Sequence, residues 1–152
     1  MKLASFLLAV ATLASAANPE LQEIKTVYLL PMTNSLDQFL AIRLTKGGVL
    51  QVVTDPEKAD AVMSDHIGAG LEDKLQSMYG ATKPESSEKE KSFASVPMQG
   101  TARSKGAIFL IDRKSRSVIW SDYERPKTAH PGDLHHTADK IASQLEKDKK
   151  AK

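Results

Sequence analysis

Near the carboxyl end of the chain, three side chains have the types and spacing to hold a cation. In His130-Pro131-Gly132-Asp133-Leu134-His135-His136, Asp133 and His136 stand three apart. A helix would place both on one face, with His130 as a further ligand. His135 and His136 differ by about 100° around such a helix and cannot both turn to one ion. A metal site needs three or four converging ligands. The alternative for the same residues is a polar helix start, with Asp133 at the positive end of the dipole. No metal or organic cofactor is expected.

Other chemistries lack parts. The chain has no cysteine, which excludes disulfides, thiolate metal sites and a cysteine nucleophile. Gly68-Ala69-Gly70 has the start of a phosphate-binding turn, but Asp73 occupies the third glycine position, so a glycine-rich loop is expected. No Gly-x-Ser-x-Gly elbow and no His-Glu-x-x-His pair is present. Asp112 and Asp122 bracket a hairpin without any sign that they converge. His66 reads as a surface or hydrogen-bonded histidine in a strand.

Two features suit a partner. The basic turn Arg113-Lys114-Ser115-Arg116, with Arg103 and Lys105, could meet an acidic protein, anionic lipid or cell-wall polymer; its plainer reading is a solvated hairpin tip. Trp120, Tyr123 and the Pro126 loop could form an aromatic contact patch, and a core tryptophan is the alternative. The formal charge of +2 and the few aromatic residues give no warrant for nucleic-acid binding.

The elements that must carry these residues begin after an address. Lys2 precedes an apolar run from Leu3 to Leu13, followed by Ala14-Ser15-Ala16-Ala17. This is the grammar of a cleavable signal peptide over residues 1–16. The run is too short to span a bilayer, which takes about 20 residues, and no later stretch approaches that length. Export is therefore expected, to a periplasm or beyond, with no integral membrane segment after cleavage. Asn18-Pro19-Glu20 is expected to break any helix there.

Residues 17–152 read as one domain. Strands are expected at Thr26–Leu30, Val49–Val53 and from Ala61 toward Ile67. A helix capped by Thr33 or Asn34 carries Leu36, Phe39, Leu40 and Leu44, and ends at Gly47-Gly48. Asp55-Pro56-Glu57 predicts a single helical turn. Leu71, Leu75 and Met78 place a short helix over 71–79. Residues 81–105 are rich in Lys, Glu, Ser and Pro, a composition expected of a mobile polar insertion. Gly106–Ile111 and Ser117–Trp120 form a hairpin, the first strand buried on both faces. A last helix over about 133–147 buries Leu134, Ala138, Ile141 and Leu145. The sum is an α/β (α+β) fold, a mixed sheet of about five strands with two main helices packed on it.

Two stretches carry a family likeness. Asp55-Pro56-Glu57-Lys58-Ala59-Asp60-Ala61-Val62 turns into a strand. Ile108-Phe109-Leu110-Ile111-Asp112 and Ser117-Val118-Ile119-Trp120 form a strand ending in Asp, a basic turn and a strand ending in Trp. This order resembles the TolB amino-terminal domain and the periplasmic domain of the curli-secretion lipoprotein, over roughly residues 24–147. The resemblance implies two helices on a mixed sheet and a protein-contact role in the bacterial envelope, without enzymatic activity. The chain departs from the pattern at Ser64-Asp65, where the family favours glycine. It also has no lipid-bearing cysteine and no propeller following. No contact residue is carried over.

These readings converge on an exported, non-enzymatic module that contacts another envelope protein or a cell-wall component. The rivals are a small metal-dependent or hydrolytic enzyme using His130–His136, and a periplasmic ligand-binding module. The oligomeric state has no signal in the sequence.

Overall fold

A computed structural model describes residues 18–80 and 106–151. The expected signal peptide and the expected polar insertion at 81–105 lie outside the described residues. Five strands form one mixed sheet: β1 (Thr26–Leu29), β2 (Gln51–Val52), β3 (Ala61–Ser64), β4 (Ala107–Asp112) and β5 (Val118–Tyr123). Their order across the sheet is β2-β1-β3-β4-β5. β1 runs parallel to both β2 and β3, whereas β3–β4 and β4–β5 are antiparallel. The α/β class and the five-stranded mixed sheet stand as read from the sequence.

Four helices surround the sheet: α1 (Pro19–Glu23), α2 (Leu36–Gly47), α3 (Ala69–Tyr79) and α4 (Pro131–Lys150). On one face, Leu36, Leu40 and Leu44 of α2 and Leu134, Ala138, Ile141 and Leu145 of α4 meet Val27, Met63, Ile108, Leu110 and Trp120. Each fully buried Leu or Ile there contributes about 1.5–3 kcal/mol. On the opposite face, Leu71 and Leu75 of α3 cover Leu30, Val62 and Ile111, with Tyr28 and Phe109 partly buried beside them. The strand alternation sorts β4 accordingly: Ile108 and Leu110 face α2 and α4, while Phe109 and Ile111 face the α3 side. Among the described residues, α3 supplies the cover of β4 on that side.

Several boundaries differ from expectation for local reasons. Asn18-Pro19-Glu20 starts a helix instead of breaking one: Asn18 Oδ1 accepts from Glu20 N–H, and proline occupies the first turn. Burial of Leu21 anchors it. α2 follows a 3-10 turn at Thr33–Ser35, with no side-chain cap from Thr33 or Asn34. Asn34 and Ser35 have φ of 56° and 59°, a left-handed pair without glycine. β3 stops at Ser64 because Asp65 leaves the ladder to bond the neighbouring loop. β5 carries a register shift opposite Leu110 and Ile111, with Ile119 as the extra residue, so both Ile119 and Trp120 enter the core.

The two ends of the described chain meet. Gln22 Nε2 donates to Ala151 O at 2.8 Å, and Lys149 Nζ reaches the carbonyl oxygens of Ile24 and Val49. Burial lowers the Lys149 pKa, against the opposing pull of Asp60.

Candidate functional site

β1 lies between two parallel neighbours, so the chain leaves its carboxyl end in one direction and that of β3 from beside it. In open α/β sheets such a switch point is where ligands bind. Here the loops after β1 and β3 are stitched together. Asp65 Oδ2 accepts from Thr33 N–H at 2.8 Å and from its hydroxyl at 2.7 Å, and Asp65 Oδ1 stands 2.8 Å from His66 Nδ1. Asp65 is only 8% exposed. Burial pushes its carboxyl pKa up, but the bonds from His66 and Thr33 outweigh this and hold it below the usual carboxylate value. The His66 ring, turned by Nδ1 toward that carboxylate, is partly exposed.

Ser64 does not complete a nucleophilic centre. Its hydroxyl is 2.9 Å from His66 O, to which it donates, and the residue is 0% exposed. Attack on a substrate needs an accessible oxygen whose proton passes to a base. The Ser64 hydroxyl instead ties the end of β3 to its own loop. Gly68, with φ of 115°, then turns the chain into α3.

A second constellation lies along β5. Glu124 N–H bonds Gly106 O, so by two-residue alternation Trp120 and Asp122 turn their main chain toward β4, and Ser121 and Tyr123 turn theirs outward. On the face opposite α4, Val118 is 46% and Tyr123 62% exposed. On the other face, Asp122 and Glu124 form one wall of a groove of about 420 Å³, and His136, Lys140, Ser143 and Lys147 of α4 form the other. Glu124 is paired with Lys140, and Asp139, which also lines the groove, with Arg43 of α2. Thus one short strand presents apolar surface on one side and a polar cleft on the other.

The structure separates the residues that the sequence grouped. Asp133 accepts from the Thr128 hydroxyl at the start of α4, His130 precedes the helix, His135 meets Phe39 edge-on, and His136 faces the β5 groove. Among the described residues, no three His, Asp or Glu side chains come close enough to share a metal ion. The candidate cation set is therefore not assembled. Asp112 bonds the amides of Lys114 and Ser115 within the turn, while Asp122 is paired with Ile108 at the far end of β4. These two carboxylates do not converge.

The two arginines of the basic turn fold back onto the molecule. The guanidinium groups of Arg113 and Arg116 lie over the Tyr79 ring, 5.1 and 5.5 Å from its centroid. Arg113 also bonds Glu57 O, and Arg116 Nη2 bonds Leu75 O at 3.4 Å. Tyr79 in turn donates to Pro56 O at 2.8 Å. Burial raises the Tyr79 pKa despite the two neighbouring arginines. Of the three candidate contact residues in this turn, Lys114 alone is exposed. Arg103 and Lys105 lie outside the described residues.

Trp120 and Tyr123 do not share a patch. Odd spacing on a strand sends them to opposite faces. Trp120 is 8% exposed and donates from Nε1 to Asp148 Oδ2 at 2.8 Å, whereas Tyr123 faces solvent. Asp65 and Thr33 escaped sequence reasoning because their partnership spans 32 residues. The β5 edge carried a readable signal: Ser121-Asp122 interrupts an apolar strand, as edge strands do.

No family model, no curated protein and no solved structure matches the chain.

Proposed function

We propose that this chain works beyond the cytoplasmic membrane of a bacterium as a non-enzymatic module, and that β5 with the groove beside it binds another envelope component. The observation that carries the reading is the contrast on β5 itself. Val118 and Tyr123 hold apolar surface in water, while the groove on the strand's other side offers charge and hydrogen bonds. Elsewhere the groups with chemical potential are engaged inside the fold: Asp65 by Thr33 and His66, Ser64 by a carbonyl, and Arg113 and Arg116 by Tyr79. Export rests on the charged, apolar and small-residue order of residues 1–16.

The test is photocrosslinking in intact cells from a reactive phenylalanine analogue placed at Tyr123, with one at Ile42 on α2 as the comparison. A discrete adduct from position 123 and none from 42 is the expected outcome. Adducts absent from both positions, or equal at both, would remove β5 as the binding surface.

A second reading is a small-ligand site at His66, favoured by the Asp65–His66 pair at the strand switch point. A metabolite screen that saves binding in the parent chain and loses it in His66→Ala would favour this reading over the first.

A further inference from the structure

We infer that β5 receives its partner as an extended peptide strand added to the outer edge of the sheet, alongside α4. This deepens the proposal that β5 is the binding surface and rests on it. The outward main-chain groups of β5 have side chains where a sixth strand would place its own atoms. At one end, Asn18 Nδ2 donates to Ile119 O at 2.7 Å. At the other, Asp122 Oδ1 accepts from Tyr123 N–H at 2.8 Å. Ser121 lies between, and its outward N–H and C=O bond no other described residue. An unpaired donor and acceptor on a sheet edge form the template used by an incoming strand.

The two faces of the edge define the peptide. Residues of an added strand alternate between them. Toward α4, Asp122 and Lys147 have no ion-pair partner among the described residues, and Ser143 and His136 are exposed hydrogen-bonding groups. Toward the opposite side, short of the end where Asn18 holds Ile119 O, the neighbour is Tyr123. The fitting ligand is therefore an extended peptide of alternating character, apolar beside Tyr123 and charged in the groove. It carries a basic side chain at Asp122 and an acidic one nearer Lys147. On binding, a peptide carbonyl replaces Asp122 at Tyr123 N–H, and the freed carboxylate meets the basic side chain. A second copy pairing antiparallel about Ser121 would oppose its own Ile119 to Tyr123, and its Asn18 and α1 already stand there.

The probe is a short blocked peptide alternating valine with lysine, threonine and glutamate, made in both sequence orders and titrated into the isotopically labelled full chain. The expected result with one order is that the Ser121 and Tyr123 amide signals move together and Ser121 exchange slows at least about tenfold. The same peptide N-methylated along one edge loses the effect. Ser121→Pro removes the outward donor where an edge strand tolerates proline, and should weaken binding roughly tenfold or more with unchanged circular dichroism. Strand addition is overturned if neither order moves those amides, or if the N-methylated peptide binds as well as the parent. The N-methylated probe decides the matter even if Ser121→Pro fails to fold. Crosslinking from position 123 in cells separates the two levels. An adduct that survives Ser121→Pro in a folded variant keeps the surface and discards the strand. No adduct from the parent chain discards the surface.

Discussion

The carboxyl ends of β1 and β3 and the outer edge of β5 are both rich in hydrogen-bonding groups, yet they use them oppositely. At the first, Asp65 accepts from three donors on two loops and is nearly sealed from water. At the second, the acceptor for Tyr123 N–H is the side chain of the residue just before it. A long-range bond between loops holds the fold together, because breaking it strands buried groups. A bond to an adjacent, half-exposed side chain satisfies the backbone and can be exchanged for another partner at little cost. The location that fold topology marks for ligands is thus the more structural of the two, and the plain sheet edge is the more available.

This contrast can be broken most forcefully at Asp65. Asp65→Ala leaves the Thr33 amide and hydroxyl and the His66 ring without their acceptor, and should cost about 2–4 kcal/mol of stability. Chemical denaturation measures it; a loss under 1 kcal/mol would mean the loops hold without the carboxylate.

The next effect is in acid. The folded pKa values of Asp65 and Asp60 both lie below the usual carboxylate value, burial being outweighed by donors from Thr33 and His66 in one case and from Lys25 and Thr26 in the other. Stability from a depressed carboxylate is fully present above its unfolded pKa of about 3.9 and is lost as pH falls through the lower folded value. Melting temperature should therefore hold between pH 7 and 5 and drop below pH 4. Asp65→Asn should melt lower at pH 7 but decline less steeply in acid; parallel curves would contradict the assignment.

Gly106 tests the inner side of β5. A Cβ there would stand 2.8 Å from Arg125 Cα, and its φ of 115° suits glycine alone. Gly106→Ala should cost about 1–3 kcal/mol and loosen the end of β5, read as faster amide exchange at Asp122 and Glu124. Unchanged exchange there would show that the strand end is held by something else.

At the small end, Tyr123→Ser should change stability by no more than about 0.5 kcal/mol, as surface changes do, while reducing partner capture. A large loss of stability would make Tyr123 a folding residue. Asn34→Gly relaxes one of the two left-handed residues before α2 and should stabilise by a few tenths to about 1 kcal/mol; a destabilised variant would mean the Asn34 side chain contributes more than its backbone costs.

The five strands and the helices α2, α3 and α4 were legible because burial repeats along the chain with the period of each element, whereas α1 was not. Leu134, Ala138, Ile141 and Leu145 mark α4 by spacing alone, and all four are buried in the core. What resisted reading involves pairs distant in sequence. Nothing local tells that Arg113 and Arg116 turn back onto Tyr79, so the basic turn reads from sequence as a solvated hairpin tip or a contact surface. The bulge at Ile119 is equally silent, although it decides that Trp120 enters the core. Tyr123 is exposed, but grouping it with Trp120 in one contact patch neglects the parity of the strand. The cation candidates failed for the related reason that His130 precedes α4, Asp133 is held by Thr128 and His136 faces the β5 groove.

The bonds from Gln22 to Ala151 and from Lys149 to Ile24 place residues 18 and 151 at one corner of the molecule. Tension applied between those two points would load a few bonds side by side, and α1 would peel away before the sheet is strained. Its departure would withdraw Asn18 from Ile119 and add one more carbonyl to the open edge of β5.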